Sequence, residues 1–170
     1  GKLTNVSHNQ WVDAAIAYQK EKYPKMTLVG DKNESNEDAA TAYRKTQELL
    51  VAYPNIKGFQ GSSSNDAVGI GQAIEEAGLQ EKTVVVGTSL VSLAGNLLTT
   101  GAVDEISFWD PKDAGKAISS VALRLLNGET VKDGDDLGVD GYNKVSVNES
   151  VIKGAAWIDV TKDNMGDYNF

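Results

Sequence analysis

The 170-residue chain contains no cysteine, one histidine, three prolines and two methionines. The missing cysteines exclude disulfides, thiol catalysis and cysteine-based zinc sites. One histidine cannot supply a tetrahedral zinc centre, and any Ser-His hydrolase would have to use His8. No run approaches the ~18 apolar residues that a membrane span requires. Positive charge is scarce: 16 Lys and Arg against 24 Asp and Glu give a formal charge of −8. Phosphate binding needs clustered Lys and Arg, so neither nucleic acid nor an anionic membrane fits as a partner.

What is present suffices for one folded domain. The chain is 41 % hydrophobic and 24 % charged, an ordinary balance for a buried core without disorder. Its organising stretch is Ile56 to Ala77, IKGFQGSSSNDAVGIGQAIEEA. Ile56 to Phe59 is a short apolar run after the turn residues Pro54 and Asn55, which predicts a strand. From Ala67 the apolar positions 67, 70, 74 and 77 have helical spacing. The polar loop Gly61 to Asp66 between them would lie at the carboxyl end of a strand. That is where open α/β sheets bind small molecules. The same Ser and Asn residues also suit a helix cap.

The flanking sequence repeats this unit. Trp11 to Tyr23 reads as a helix with Trp11, Ala15 and Tyr18 on one stripe, ended by Pro24. Met26 to Val29 is a candidate strand, and Ser35 with Asp38 makes an S-x-x-D cap for a helix reaching Tyr53. Thr83 to Gly87, TVVVG, is a nearly continuous apolar run, as in strands buried on both faces. A helix follows with Leu90, Leu93, Ala94, Leu97 and Leu98 in phase, and Gly101 suits its end. Val103 to Trp109 is the next strand. Asp110-Pro111-Lys112-Asp113 opens a helix with Asp as cap and Pro in the first turn; it carries Ala114, Ala117, Ile118, Val121 and Leu125. Lys144 to Val147 and Ala155 to Val160 read as strands, and Thr161 to Phe170 as a terminal turn or helix. The fold class is therefore α/β, a parallel sheet flanked by helices. Right-handed crossovers bring the loops near Ser7–Asn9, Asn33–Asn36, Ser62–Asn65, Thr88–Ser89 and Trp109–Asp110 to one sheet edge.

Reaction motifs fail on these loops. Gly61-Ser62-Ser63-Ser64-Asn65 lacks the last glycine of a nucleophile elbow. Gly69-Ile70-Gly71 falls inside a helix, not in the turn before one, so there is no dinucleotide fingerprint. The acidic loops at Asp31 and Asp133 depart from the EF-hand at Asn36 and Lys144 respectively. No metal or cofactor is expected, and no enzymatic activity. Trp109, at a strand end, is either a core residue or a plate for the apolar face of a sugar or base; Trp11 and Trp157 are read as core. His8 is either a ligand-facing donor or a surface residue. Abundant hydroxyls and amides suit a neutral polyhydroxy ligand.

AYPNIKGFQGSSSNDAVGIGQAIEEAG, TVVVGTS, GAVDEISFWDPKDAGKAISSVAL and the ending DNMGDYNF together resemble the carboxyl-terminal half of a periplasmic sugar-binding protein of an ABC transporter. Asn9-Gln10-Trp11 and Phe108-Trp109-Asp110-Pro111 are most similar to the rhamnose- and autoinducer-2-binding branch. The resemblance implies two Rossmann-like lobes clamping a sugar. Residues 1–109 would form the second lobe, 110–154 the crossing and a segment of the first lobe, and 155–170 the return. The polar opening GKLTNVSHNQW reads as beginning partway through a unit, with most of the first lobe upstream. The helix from Asp113 to Leu126 would then have an apolar stripe without its sheet.

The resemblance also implies ligand contacts at Ser7, His8, Ser62, Ser64, Asn65, Ser89 and Trp109. Ribose-type relatives often have Asp where Ser89 stands, and the autoinducer-2 branch has Asp-Gln and Pro-Ala where this chain has Ser-His and serines. These departures point away from autoinducer-2 and leave the sugar unidentified, a pyranose or furanose with several hydroxyls. Implied partners are a small-molecule sugar and an ABC transporter permease. The implied location is periplasmic or extracellular, or lipid-anchored through an amino-terminal segment. The alternatives are the effector core of a sugar-responsive transcription regulator, which shares the fold, and a small doubly wound hydrolase.

Overall fold

A computed structural model describes residues 1–170. The chain divides into two compact units, residues 1–107 with 159–170, and residues 108–158. No helix is long and apolar enough to cross a membrane.

The first unit is built on α1 (Val6–Lys22), α2 (Ala39–Ala52), β1 (Gly58–Gly61), α3 (Ser64–Glu76), β2 (Val84–Thr88), α4 (Val91–Thr100) and β3 (Glu105–Phe108), with β6 (Ile158–Val160) returning to the sheet. Strand order is β1-β2-β3-β6. β1 lies parallel to β2, with Gly58 opposite Val84, and β2 parallel to β3, with Val86 opposite Glu105. The parallel α/β reading of the sequence is therefore correct. Ile74, Val85, Ile106 and Val160 are fully buried and form the centre of the core.

α3 is the pivot, packed against α2, α4, β1 and β2. Its two glycines make this possible. A Cβ on Gly69 would stand 2.2 Å from the Ala39 carbonyl oxygen, and one on Gly71 would stand 2.6 Å from Val103. Gly69-Ile70-Gly71 is thus a close-packing device on two helix faces, since neither neighbour could approach a larger residue so closely.

Several elements differ from their sequence reading. Met26–Val29 joins no sheet. Its alternating residues have no neighbouring strand, and strand propensity expresses little without a partner. TVVVG is buried on one face only: Val85 is inaccessible while Val84 is 53 % exposed. α1 buries no residue at all, and Tyr18 of its expected inward stripe is exposed. α2 is capped by Asp38, whose side chain accepts the Thr41 N–H at 2.7 Å; Ser35 serves elsewhere. α3 begins at Ser64, one turn before Ala67. Gly101 ends α4 in the left-handed conformation, as expected.

The second unit holds α5 (Pro111–Leu126) and an antiparallel hairpin, β4 (Ser146–Asn148) with β5 (Val151–Lys153). Asp110 caps α5 by accepting the Lys112 N–H at 2.7 Å. Ala117, Leu137 and Val145 make a small core, flanked by Val121, Tyr142 and Ile152. The rest of the apolar stripe of α5, with Ile118 and Leu125, is exposed. Asp133 accepts the Val147 N–H and Asp135 the Lys132 N–H, both at 2.9 Å, so these acids brace their own loop. No cluster of three or more His, Asp or Glu side chains is arranged to hold a metal ion.

Candidate functional site

In a parallel sheet the carboxyl ends of the strands share one edge. Here the loop after β1 meets residues 1–8 and 33–37 at that edge. The link between them is Asp66, in the first turn of α3 and 5 % exposed. Its carboxylate accepts the Ser62 N–H at 3.1 Å, the Ser63 N–H at 3.0 Å, the Ser35 hydroxyl at 2.5 Å and the Gly1 amino group at 2.5 Å. The reach back to Ser63 is the acidic half of a capping box, and the helix N-terminus favours the negative charge. Burial alone would raise the Asp66 carboxyl. The Gly1 amino group and the Ser35 hydroxyl outweigh that and hold it below the ordinary carboxylate range.

The 33–37 loop is held under backbone strain. Asn36 and Glu37 both adopt left-handed φ, 57° and 61°, which costs a non-glycine residue of order 1 kcal/mol or more. Surrounding bonds enforce it. Glu37 donates its N–H to the Ser35 hydroxyl at 3.2 Å, and its carbonyl accepts the Asn65 amide at 2.8 Å. Its carboxylate lies 3.7 Å from His8 Nδ1, too far for a hydrogen bond.

These contacts sort the residues singled out from sequence. His8 sits in the first turn of α1, where its N–H donates to the Asn5 cap at 3.1 Å and its ring lies 5.4 Å from Trp11. Ser7 precedes it and is exposed. Ser62 lends its N–H to Asp66. Ser64 offers its carbonyl to the Ser89 hydroxyl at 2.9 Å, and Ser89 is fully buried. Asn65 is spent on Glu37. Four of the five loops expected at the sheet edge thus bring residues to one another. Trp109 belongs to the second unit, where it is 40 % exposed and meets Trp157 edge to face at 5.3 Å. Trp157 is itself 47 % exposed, not a core residue as read from the sequence.

Two buried side-chain atoms lack a close hydrogen-bond partner, His8 Nδ1 and Ser63 Oγ, though the Ser63 oxygen faces the Asp66 N–H as the other half of the α3 capping box. Such atoms cost free energy unless something supplies a bond. Sequence reasoning missed Ser63, Asp66 and Glu37. Ser63-x-x-Asp66 is a legible capping pattern, whereas nothing local marks Glu37.

The family described as a periplasmic binding protein domain matches residues 1–130. Among solved structures, the chain is similar to LsrB from Clostridium saccharobutylicum in complex with AI-2, at 24 % identity and a TM-score of 0.77, over 95 % of this chain and 55 % of that one. It is similar to a carbohydrate transporter solute binding protein from Agrobacterium radiobacter in complex with D-arabinose, at 29 % identity and TM-score 0.68, over 89 % and 45 %. It is also similar to an ABC transporter solute binding protein from Agrobacterium vitis with bound D-fucose, at 24 % identity and TM-score 0.69, over 91 % and 46 %. The chain spans about half the length of these structures.

Proposed function

Since the chain belongs to the periplasmic binding protein domain family, we propose that it is part of a solute-binding component of an ABC transporter. On this reading it recognises a monosaccharide by closing a cleft and then docks on a permease. The observation that carries the reading is a pair of buried atoms without a close partner, His8 Nδ1 in the first turn of α1 and Ser63 Oγ at the cap of α3. A sugar hydroxyl both donates and accepts, so it can serve either atom without bringing charge. D-arabinose and D-fucose in two relatives support a ligand of that class.

Contacts are proposed in the first unit at Ser7, His8, Ser62, Ser64, Asn65 and Ser89, with Ser63 added, and in the second unit, by itself, at Trp109. Their roles differ. Ser89 and Asn65 act through the bonds they hold, on Ser64 and Glu37, while His8 and Ser63 meet the ligand. Trp109, in the second unit, offers an aromatic face of the kind on which a sugar ring stacks. No catalysis is assigned, and the protein works in the periplasm or outside the cell.

Isothermal titration with D-arabinose, D-fucose and L-rhamnose tests this. The 170-residue chain should bind at best at about 1 mM, equivalent to roughly 4 kcal/mol, because one lobe cannot clamp. The full-length protein should bind one such sugar at least a hundredfold more tightly, and His8→Ala should remove most of that gain. Sub-micromolar binding by the 170-residue chain would contradict the closure mechanism. A full-length protein indifferent to every monosaccharide would sink the sugar reading.

A further inference from the structure

Asparagine or aspartate precedes glycine at three places, Asn127-Gly128, Asp133-Gly134 and Asp140-Gly141, all in the second unit. Such a pair can react with itself. The glycine nitrogen reaches the side-chain carbonyl before it, and no Cβ stands in the way. Asparagine is the thermolabile partner, because an ionised aspartate carboxylate resists the attack.

The structure separates the three. The Asp133 carboxylate is held by the Val147 N–H at 2.9 Å, and the Gly134 N–H is occupied by the Val145 carbonyl at 2.7 Å. Gly141 is wedged in place: a Cβ there would stand 2.5 Å from Ala156, and its carbonyl accepts the Ala155 N–H at 2.7 Å. Asn127 and Gly128 are both exposed. No hydrogen bond holds the Asn127 side chain, and a Cβ on Gly128 would meet nothing within 4 Å.

What restrains Asn127 is the end of α5. Gly128 has a left-handed φ of 77°. Its N–H donates to the Leu125 carbonyl at 3.1 Å, and the Glu129 N–H donates to the Arg124 carbonyl at 2.9 Å, the paired bonds of a Schellman ending. With Asn127 at a ψ of 4°, the peptide it shares with Gly128 must turn over before the nitrogen faces the side chain. That movement breaks the two closing bonds and displaces no buried residue. Terminal bonds of this kind open locally, without unfolding of the domain.

We propose that Asn127 is a self-modification site, converted to aspartate and isoaspartate by the Gly128 nitrogen. The nitrogen, having given its proton to hydroxide, attacks Asn127 Cγ. The Cγ–Nδ2 bond breaks, and the amide leaves as ammonia with a proton from water. Water then opens the five-membered imide. Breaking the bond from nitrogen to Cγ gives aspartate; breaking the bond to the Asn127 main-chain carbonyl carbon gives isoaspartate. The nitrogen recovers its proton either way. One water is consumed, one ammonia is released, and nothing is oxidised.

Either product puts a carboxylate at the negative end of the α5 dipole. It also stands three residues beyond Arg124, whose guanidinium binds Asp135 at 3.3 Å. Isoaspartate adds a methylene to the main chain, so the two closing bonds cannot both reform. The reaction is thus a clock that loosens the end of α5, and it is independent of the sugar-binding reading.

The test incubates the 170-residue protein and the synthetic peptide LLNGETVK in the same mildly alkaline buffer. Trypsin then releases that same segment from the protein, cutting after Arg124 and Lys132. Chromatography with mass spectrometry should find two new forms of it, each heavier by the exchange of NH2 for OH. One of them should accept a methyl group from isoaspartyl methyltransferase. Two bonds to open should make the protein react about thirtyfold more slowly than the peptide. A requirement for global unfolding would slow it more than about a thousandfold, so Asn127 intact after about a hundred peptide half-times overturns the proposal. Isoaspartate at residue 133 or 140 to the same extent overturns it too. In converted protein, amide exchange at Glu129 should rise about tenfold or more. Asn127→Gln, which would have to close a six-membered ring, should stay unmodified and keep Glu129 protected over the same period. Conversion with Glu129 still protected, or equal loss of protection in Asn127→Gln, refutes the loosening of α5 by this reaction.

Discussion

Replacing Asp66 should loosen the whole sheet-edge cluster. Asp66→Ala strands the Ser62 and Ser63 N–H groups that now converge on the carboxylate and leaves the Ser35 hydroxyl only its 3.3 Å bond to the Gly1 carbonyl. Each hydrogen bond to a charged group contributes roughly 1.5–3 kcal/mol, but bonds to one acceptor do not add in full. The carboxylate's own desolvation, which disappears with it, offsets part of the loss. A net cost of about 3 kcal/mol follows for Asp66→Ala. It should be about 2 kcal/mol for Asp66→Asn, which keeps one acceptor but points amide hydrogens at the Gly1 amino group or at Ser35. Urea denaturation at constant m measures both. The pH dependence discriminates further. In the 170-residue chain the folded carboxyl lies below its ordinary value, because the Gly1 amino group and Ser35 outweigh the burial that would raise it. Its contribution is therefore complete above the unfolded value of about 4 and fades as pH falls through the lower folded value. The gap between wild type and Asp66→Asn should stay constant from about pH 7 to 5 and shrink below about 4. A neutral-pH gap under about 0.5 kcal/mol, or one that persists at the lowest pH, would refute the assignment of Asp66 as the organiser of these loops.

Other positions give independent checks. Gly69→Ala drives a methyl against the Ala39 carbonyl and the Ala42 Cβ, 2.2 and 2.7 Å away; separating α2 from α3 should cost about 2 kcal/mol or more, read as a lower urea midpoint. Glu105 sits above its ordinary range through burial and then the nearby Asp159 carboxylate. A raised carboxyl favours folding below its unfolded value and loses that benefit as pH rises through the folded one, so Glu105→Gln should raise Tm at neutral pH and leave it unchanged in acid. Ser89→Ala removes a buried hydroxyl donating to the Ser64 carbonyl at 2.9 Å. It should cost about 1 kcal/mol in stability and change the sugar affinity of the full-length protein less than tenfold; a larger affinity loss with unchanged stability would place Ser89 on the ligand instead.

What could be read from the sequence depended on whether its cause was local. Asp110-Pro111 and Gly101 announce helix ends through the chemistry of one or two residues, and both appear where expected. TVVVG announces a strand, but covering both faces depends on what lies opposite, and there the reading overshot. Met26–Val29 has the composition of a strand and lacks the neighbour that would make it one. The β4–β5 hairpin escaped notice because its turn carries Glu149 at a φ of 54°, where asparagine or glycine would have marked it. Asp66 was within reach: Ser63 and Asp66 have the spacing applied to Ser35 and Asp38, but starting the helix at Ala67 leaves the acid in a loop.

The serine run marks the deeper boundary. Ser62, Ser63 and Ser64 are identical in composition and adjacent in sequence, and all three suit either a cap or a ligand. Hydrogen-bond partners separate them. Ser62 contributes its backbone to Asp66, and Ser64 gives its carbonyl to Ser89. Only Ser63 has its hydroxyl buried, with no closer partner than the Asp66 N–H of the capping box. The same division runs through the rest of the edge. Asp66, Ser35 and Ser89 are buried and satisfied, so they fix geometry, whereas His8 Nδ1 is buried and unsatisfied. A buried polar atom left without a partner costs about 1–3 kcal/mol. A ligand hydroxyl that supplies the missing bond recovers that cost as binding energy, so ligand selectivity should rest on the unsatisfied pair more than on the bonded frame around it. Ser63→Ala removes the cap of α3, so it should cost no more than about 1 kcal/mol of stability and weaken sugar binding by the full-length protein by about tenfold, which is 1.4 kcal/mol. Loss of stability with unchanged affinity would show that Ser63 is a cap and nothing more.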